Sequence, residues 1–371
     1  MRHSAALLFA VGSAASLSAC DMISKDTKKQ DTTVVVPKQA VAESAAAKAQ
    51  LPSGVTAVPA DSAAGLHAAA DTGIVDMQPA QPKRGGVLFA FADGVETNAP
   101  GCTWAGAPLP CYKAGSGIGA IIALPADQPA GSFTLTMDRP GGRISRQVPI
   151  ADQRFPQEVI LLDAQHLALL KRGADIARDA RAMRQILIGD SPQRRWSGAW
   201  REPVRGGRHT GYGADRFYYP ATDSSRAIAL DSSRATHGAF AGDTAELKAG
   251  EVASWRHTGV DIAVPKRTPV VASAAGIVEL VGSYTLTGNS VMIDHGQGVH
   301  SAYFHLDTVV VKQGDVIRGG TLIGRVGTTG LTTGPHLHYA VYVHGKDVDP
   351  DAWMAMPNWV RGDSVKSGGH R

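Results

Sequence analysis

The chain has 371 residues, of which 43% are hydrophobic and 19% charged, with a formal net charge of +4. At about 100–200 residues per domain this supports two or three folded units. No apolar run of about 18 residues occurs, which excludes a polytopic membrane protein, and no long basic run occurs, which argues against a dedicated nucleic-acid binder.

The first residues carry Arg2 and His3, then the apolar Ala5–Val11, then Leu17-Ser18-Ala19-Cys20. A charged start, a short apolar core and small residues before a cut site describe a secretory signal peptide over residues 1–19. Small residues leading directly into a Cys resemble a bacterial lipobox. That makes Cys20 the expected site of lipidation and membrane attachment, with the folded part in the periplasm and the choice of membrane open. From Asp21 to Gly85 there is no Phe, Trp or Tyr. Such a chain buries too little apolar surface to offset its ordering entropy, so residues 20–85 read as a flexible, lipid-anchored linker.

Order is expected from Gly86. Val87–Phe91, Gly119–Leu124, Ser132–Met137 and Arg143–Ile150 are short β-favouring runs separated by Gly, Pro and Asp. They predict a small all-β domain over 86–155. Inside it Cys102 and Cys111 form an even pair, and in an exported chain they are expected to make a disulfide. Residues 156–195 read as a connector. Glu158–Leu162 is a strand, and Asp163–Leu187 carries apolar residues at helical spacing, with Asp163 as N-cap and Gly189 as stop.

From Trp196 the chain returns to β character. Pro269–Ala272, Gly276–Val281, Ser290–Asp294, His300–His305, Thr321–Val326 and His336–Val343 read as strands, punctuated by glycines. No βαβ alternation is present, which excludes a Rossmann-type fold. The expected unit covers 196–358 with an insertion at about 217–254, followed by a flexible tail over 359–371. The insertion has a Ser/Asp/Ala-rich centre, Thr222–Ala235, and a connection of that length is an exposed loop or a lid.

Three segments of this last unit carry candidate chemistry. In His257-Thr-Gly-Val-Asp261 the two end residues would be about 13 Å apart on a straight strand. Gly259 permits a bend that brings them together. In Gly334-Pro-His336-Leu-His338 the two imidazoles share one face of a strand about 6.6 Å apart. The third segment, Tyr303-Phe-His305-Leu, ends an aromatic strand on a histidine. Zinc hydrolases take three N/O ligands and keep a fourth position for water, and His257, Asp261 and one of His336 and His338 supply such a set. The remaining imidazoles are then available for proton transfer and for stabilising an oxyanion. No His-Glu-x-x-His motif is present. His295 is expected to support a turn, and His300 and His344 to be surface or strand residues.

These motifs, with Pro269-Val-Val-Ala, Gly276-Ile-Val, Val316-Ile-Arg-Gly-Gly, Ile323-Gly-Arg-Val-Gly and Thr332-Thr-Gly-Pro-His-Leu-His-Tyr, resemble the catalytic domain of the lysostaphin/LytM-type zinc metallopeptidases. Gly211-Tyr-Gly-Ala-Asp-Arg216 resembles the Phe-Gly-x-Arg segment that precedes the first ligand in that family. The resemblance implies a mainly β fold: an antiparallel β catalytic domain with an open groove, here preceded by the small all-β domain and the helical stretch. It implies one zinc ion per chain on His257, Asp261 and His338, with His305 and His336 as catalytic imidazoles. It further implies a peptidoglycan endopeptidase acting on stem-peptide cross-links, D-alanine to diaminopimelate in a Gram-negative wall. The alternative is a non-enzymatic envelope regulator that binds wall and activates an amidase. One departure is the long separation of Arg216 from His257.

Overall fold

A computed structural model describes residues 75–93, 101–115, 117–139, 142–223 and 253–356. The signal peptide, Cys20, the linker up to residue 74, the greater part of the 217–254 insertion and the 359–371 tail lie outside the described residues. Order starts earlier than Gly86, so the linker reading is corrected from Val75 onward. Strand β1 (Val75–Gln78) pairs antiparallel with β2 (Val87–Asp93), and Val75 and Met77 pack against the core beneath. Four residues of alternation are too short to stand out in a polar, aromatic-free segment.

The small β domain continues through β3 (Cys102–Trp104), β4 (Ala107–Leu109), β5 (Cys111–Ala114), β6 (Gly117–Ala123), β7 (Gly131–Arg139) and β8 (Gly142–Ile150). These strands form two four-stranded sheets, β1-β2-β6-β5 and β4-β3-β7-β8. Leu88, Ile118 and Ile122 of the first sheet share one buried cluster with Leu135, Met137, Ile144 and Val148 of the second. The sheets therefore pack face to face. Cys102 and Cys111 form the expected disulfide, which joins β3 of one sheet to β5 of the other.

The connector holds β9 (Gln157–Leu162), α1 (Ala164–Leu170) and α2 (Gly173–Leu187). Asp163 caps α1 as its sequence predicts, its carboxylate accepting the His166 N–H at 2.9 Å. The single helical stretch expected over Asp163–Leu187 is two helices. Arg172 leaves helical geometry at φ −86°, ψ 48°, beside Gly173, a poor helix former. The apolar spacing stays in phase across the break, so the pattern alone runs through it. Met183, Ile186 and Leu187 of α2 cover Leu280, Met292, Ala302, Phe304 and Ala340.

The remaining elements are β10 (Gly207–Thr210), β11 (Asp215–Pro220), β12 (Ala253–Arg256), β13 (Val260–Ala263), β14 (Pro269–Val271), β15 (Gly276–Tyr284), β16 (Gly288–Gly296), β17 (Val299–Val309), β18 (Val316–Ile317), β19 (Leu322–Val326), β20 (His336–Val343), β21 (Lys346–Val348) and α3 (Pro350–Met354). Ten of these strands make one antiparallel sheet whose spine is β10-β13-β20-β17-β16-β15-β18. A side sheet has the order β12-β11-β9, with β9 parallel to β11. The division expected at 195/196 is thus crossed by a strand pair: β9 is hydrogen-bonded to β11 of the unit that follows it. Local patterning cannot show a partner more than fifty residues away.

Strand β20 decides where the chemistry lies. Leu337, Tyr339, Val341 and Val343 turn into the main core with Val260, Ile262, Val291 and Tyr303, as a period of two requires. His336, His338 and Ala340 then occupy the opposite face. Helix α2 covers one end of that face, where Ala340 sits, and the two histidines stand beyond it.

Candidate metal centre and cleft

His257 and Asp261 meet because the chain turns between them: β12 stops at Arg256 and β13 starts at Val260. The main chain of His257 is clamped to the preceding loop, its N–H donating to Ala214 O and its carbonyl accepting from Gly213 N–H, both at 2.8 Å. Its ring Nδ1 donates to Gly211 O at 2.9 Å, which leaves the Nε2 lone pair directed at the cluster. Gly259 is needed for space rather than for an unusual backbone angle. A Cβ there would stand 2.4 Å from Tyr339 O and 2.7 Å from His338 Nε2. Gly259→Ala is therefore expected to force β13 away from β20, costing about 1–3 kcal/mol of stability and displacing His338. Denaturant unfolding with wild-type stability would show that the close approach is dispensable.

Asp261 and His338 are direct cross-strand partners on β13 and β20. His257 Nε2 lies 3.1 Å from Asp261 Oδ1 and 3.0 Å from His338 Nδ1, and His338 Nδ1 lies 3.0 Å from Asp261 Oδ1. All three residues are buried. A single proton on His338 Nδ1 is the most that can bridge this triangle; otherwise three lone pairs converge on one point. Such convergence suits a cation. Tetrahedral N/O ligands at about 2.0–2.1 Å from an ion stand roughly 3.3 Å apart, close to the spacing found. Burial acts to raise the Asp261 carboxyl, but the neighbouring His257 and His338 rings outweigh it and hold the group well below the usual carboxylate range. Burial also pushes His338 down to about 4 against the pull of Asp261.

The other carboxylate oxygen of Asp261 accepts Arg216 Nη2 at 2.6 Å, and Arg216 Nε donates to Glu158 Oε2 at 2.9 Å. Arg216 comes from β11 and Glu158 from β9, where the two are register partners.

His305 reaches the site through a defect in β17. Phe304 is the cross-strand partner of His338 and stacks on it, with centroids 5.4 Å apart and planes 7° apart. Simple alternation would then send His305 to the core face with Tyr303. Instead the β16–β17 register passes from Val291↔Tyr303 to Asn289↔Leu306, so three steps on β17 answer two on β16. The extra residue is a β-bulge, and His305 takes a left-handed φ of 61°. Its ring lands 4.8 Å from that of His336 and 6.1 Å from that of His338, centroid to centroid.

Nδ1 of His305 donates to Thr329 O at 2.8 Å, which assigns the lone pair to Nε2. Burial, with the nearby His336 and His338 rings, pushes its pKa down to about 3, so the ring is neutral at physiological pH. His336 Nδ1 contacts Gly334 O at 2.9 Å, and its Nε2 lies 3.6 Å from Asp261 Oδ1. A left-handed backbone costs a non-glycine residue about 1–2 kcal/mol. His305→Gly is therefore expected to be more stable than His305→Ala by about 1 kcal/mol, the reverse of the usual order inside a strand. Equal stabilities on denaturant unfolding would reject the strain.

Asp261, His305 and His336 border a cleft of about 300 Å³, and His257 and His338 meet Asp261 Oδ1 at its edge. Thr332, Thr333, Gly334 and Pro335 line one part of it, and Ile160, Leu162 and Tyr218 another. The residues from β9 and β11 carry no local signal in the sequence, since only the parallel pairing brings them here. Among the described residues, His295, His300 and His344 do not line this cleft. His295 is fully buried in β16, Nδ1 donating to Ala275 O at 2.8 Å and Nε2 meeting Ser301 Oγ at 2.8 Å. His300 is 1% exposed on β17, which rules out the surface reading for it. His344 stacks on Tyr112 of the small β domain.

Residues 255–350 match peptidase family M23. The DD-carboxypeptidase/endopeptidase Mpg of Neisseria meningitidis is 50% identical over 105 residues, which are 28% of this chain and 24% of that protein. The peptidoglycan DD-endopeptidase ShyA of Vibrio cholerae is 42% identical over 93 residues, 25% of this chain and 22% of that protein. The chain thus spans about a quarter of the length of these curated relatives. A solved M23-type structure from Pseudomonas aeruginosa is similar with a TM-score of 0.50 at 25% identity, covering 74% of this chain and 95% of that one.

Proposed function

We propose, from the match of residues 255–350 to peptidase family M23, that the protein is a zinc-dependent endopeptidase hydrolysing peptide cross-links of bacterial peptidoglycan, at the bond from D-alanine to diaminopimelate. The observation that carries the reading is the convergence of His257 Nε2, Asp261 Oδ1 and His338 Nδ1 on one point, with two further imidazoles beside it on the wall of a cleft. The naming of relatives as DD-endopeptidases supports the substrate class.

Two imidazoles and one carboxylate fit zinc. When bound, the ion would supply Lewis-acid polarisation of the scissile carbonyl and an acidified water. The other work falls to this chain's own groups. Thr329 O holds the His305 ring by Nδ1, so Nε2 is the atom that accepts a proton from the attacking water. That proton is returned from the same Nε2 to the leaving nitrogen, and the contact of His336 Nδ1 with Gly334 O leaves its Nε2 lone pair to take the second proton of the attacking water as the product carboxylate forms. Arg216 keeps the Asp261 carboxylate turned with Oδ1 toward the two ligand histidines. The apolar side chains Ile160 and Leu162 exclude water from one side of the cleft.

Digestion of cross-linked muropeptide dimers by the purified chain tests this. Cleavage to monomers, abolished by a chelator and restored by zinc, is expected. A folded, zinc-loaded protein that leaves the dimers intact, or a chelator-resistant cleavage, refutes it.

The place of action is part of the same proposal: the periplasm, with the chain lipid-anchored at Cys20. The lipobox form of Leu17-Ser-Ala-Cys20 supports it. Cys20→Ser is expected to move the protein from the membrane to the soluble fraction, and membrane retention on fractionation would point to another attachment.

A further inference from the structure

We infer that Glu158, on the strand β9 that precedes the matched family region, is a positioning residue of the metal site and acts on Asp261 through Arg216. The inference rests on the metal reading above. Glu158 and Arg216 face each other across the parallel β9–β11 pair, so the backbone ladder sets their meeting. Arg216 then uses two different edges of one guanidinium: Nε donates to Glu158 Oε2 at 2.9 Å and Nη2 to Asp261 Oδ2 at 2.6 Å. The planar fork turns as a unit. Pinning Nε therefore fixes the direction in which Nη2 points, and through it the roll of the Asp261 carboxylate. The opposite oxygen, Oδ1, is the one that meets His257 and His338.

Burial makes this chain of contacts matter. The side chains of Glu158, Arg216 and Asp261 are only 20%, 12% and 9% exposed, so water offers little substitute for a lost partner. The charges agree with the geometry. Arg216 alone beside Asp261 would neutralise the only carboxylate among the three metal-holding residues. With Glu158 present, the three groups together keep one net negative charge behind the site, which favours a cation. Glu158 thus serves in two ways, by direction and by charge, and its variants separate them. Glu158→Ala removes both, whereas Glu158→Gln keeps an oxygen acceptor for Nε and removes only the charge.

The test is zinc affinity by competition with a chromophoric chelator, with the melting temperature of the metal-free protein measured in parallel. Zinc binding by the wild-type chain comes first, and its absence overturns the metal reading and this inference with it. Glu158→Ala is expected to weaken zinc binding by about 10–100-fold, the range for outer partners of metal ligands. Glu158→Gln, close to isosteric, is expected to weaken it by roughly five-fold, since a charge-assisted hydrogen bond becomes a neutral one. The melting temperature of metal-free Glu158→Gln should stay at the wild-type value. Wild-type zinc affinity in folded Glu158→Ala overturns the role of Glu158 while leaving the metal reading intact. Should Glu158→Ala not fold, Glu158→Leu, which removes acceptor and charge but keeps the bulk, takes its place, and wild-type affinity in folded Glu158→Leu overturns the role equally; wild-type affinity in Glu158→Gln overturns the charge part alone.

Discussion

His338→Ala is expected to lose zinc altogether at stoichiometric metal, and hydrolysis with it. Removing this ring deletes one of three donors and leaves His257 Nε2 and Asp261 Oδ1 alone at 3.1 Å. Loss of an outer partner costs about 10–100-fold in affinity, so loss of a ligand should exceed about 100-fold. The substitution also removes the ring that stacks on Phe304, but its neighbours Leu337 and Tyr339 keep β20 in the core. The variant should therefore fold. Elemental analysis of purified His338→Ala decides the matter: about one zinc per chain, the content expected of the wild type, would remove His338 from the ligand set.

Alanine at His305 or His336 should separate metal from chemistry. Each variant is expected to keep its zinc yet lower kcat by about 10²–10⁴-fold, the usual contribution of a positioned proton-transfer group. The geometry gives the reason. His305 contacts the ligand cluster by ring proximity only, 6.1 Å from His338 between centroids. His336 Nε2 stands 3.6 Å from Asp261 Oδ1, outside the 3.0–3.1 Å triangle of the three donors. Loss of zinc from His336→Ala would make it a ligand, and wild-type turnover of cross-linked dimers by either variant would end its catalytic assignment. The comparison needs zinc content and rate measured on the same preparation.

Much of the candidate site is legible in the amino-acid sequence. On β20 the pair His336 and His338 follows from alternation alone, because a pleated strand turns every second side chain to the same face whatever its neighbours are. The disulfide of Cys102 with Cys111 and the Asp163 cap rest on equally short-range chemistry. His257 and Asp261 can be paired from the Gly259 between them, although the physical reason is different: β20 passes so close that no side chain fits.

The resemblance marks His305 as a catalytic imidazole, but only the tertiary structure decided how it and the remaining residues reach the site. His305 sits at the end of an aromatic strand by sequence, and regular alternation would bury it with Tyr303. Only the bulge against β16, with a left-handed residue that local preference disfavours, turns it to the site. Glu158, Ile160 and Leu162 belong to a strand whose own pattern says nothing of its partner. A parallel pairing with β11 places them on the cleft, and hydrogen bonds between distant segments leave no periodic trace in either one. The sequence determined which residues hold lone pairs for a metal, since that depends on residue type and a period of two. Which of them converge, and which distant carboxylate steadies them, depended on strand register, which is set by packing across the whole sheet.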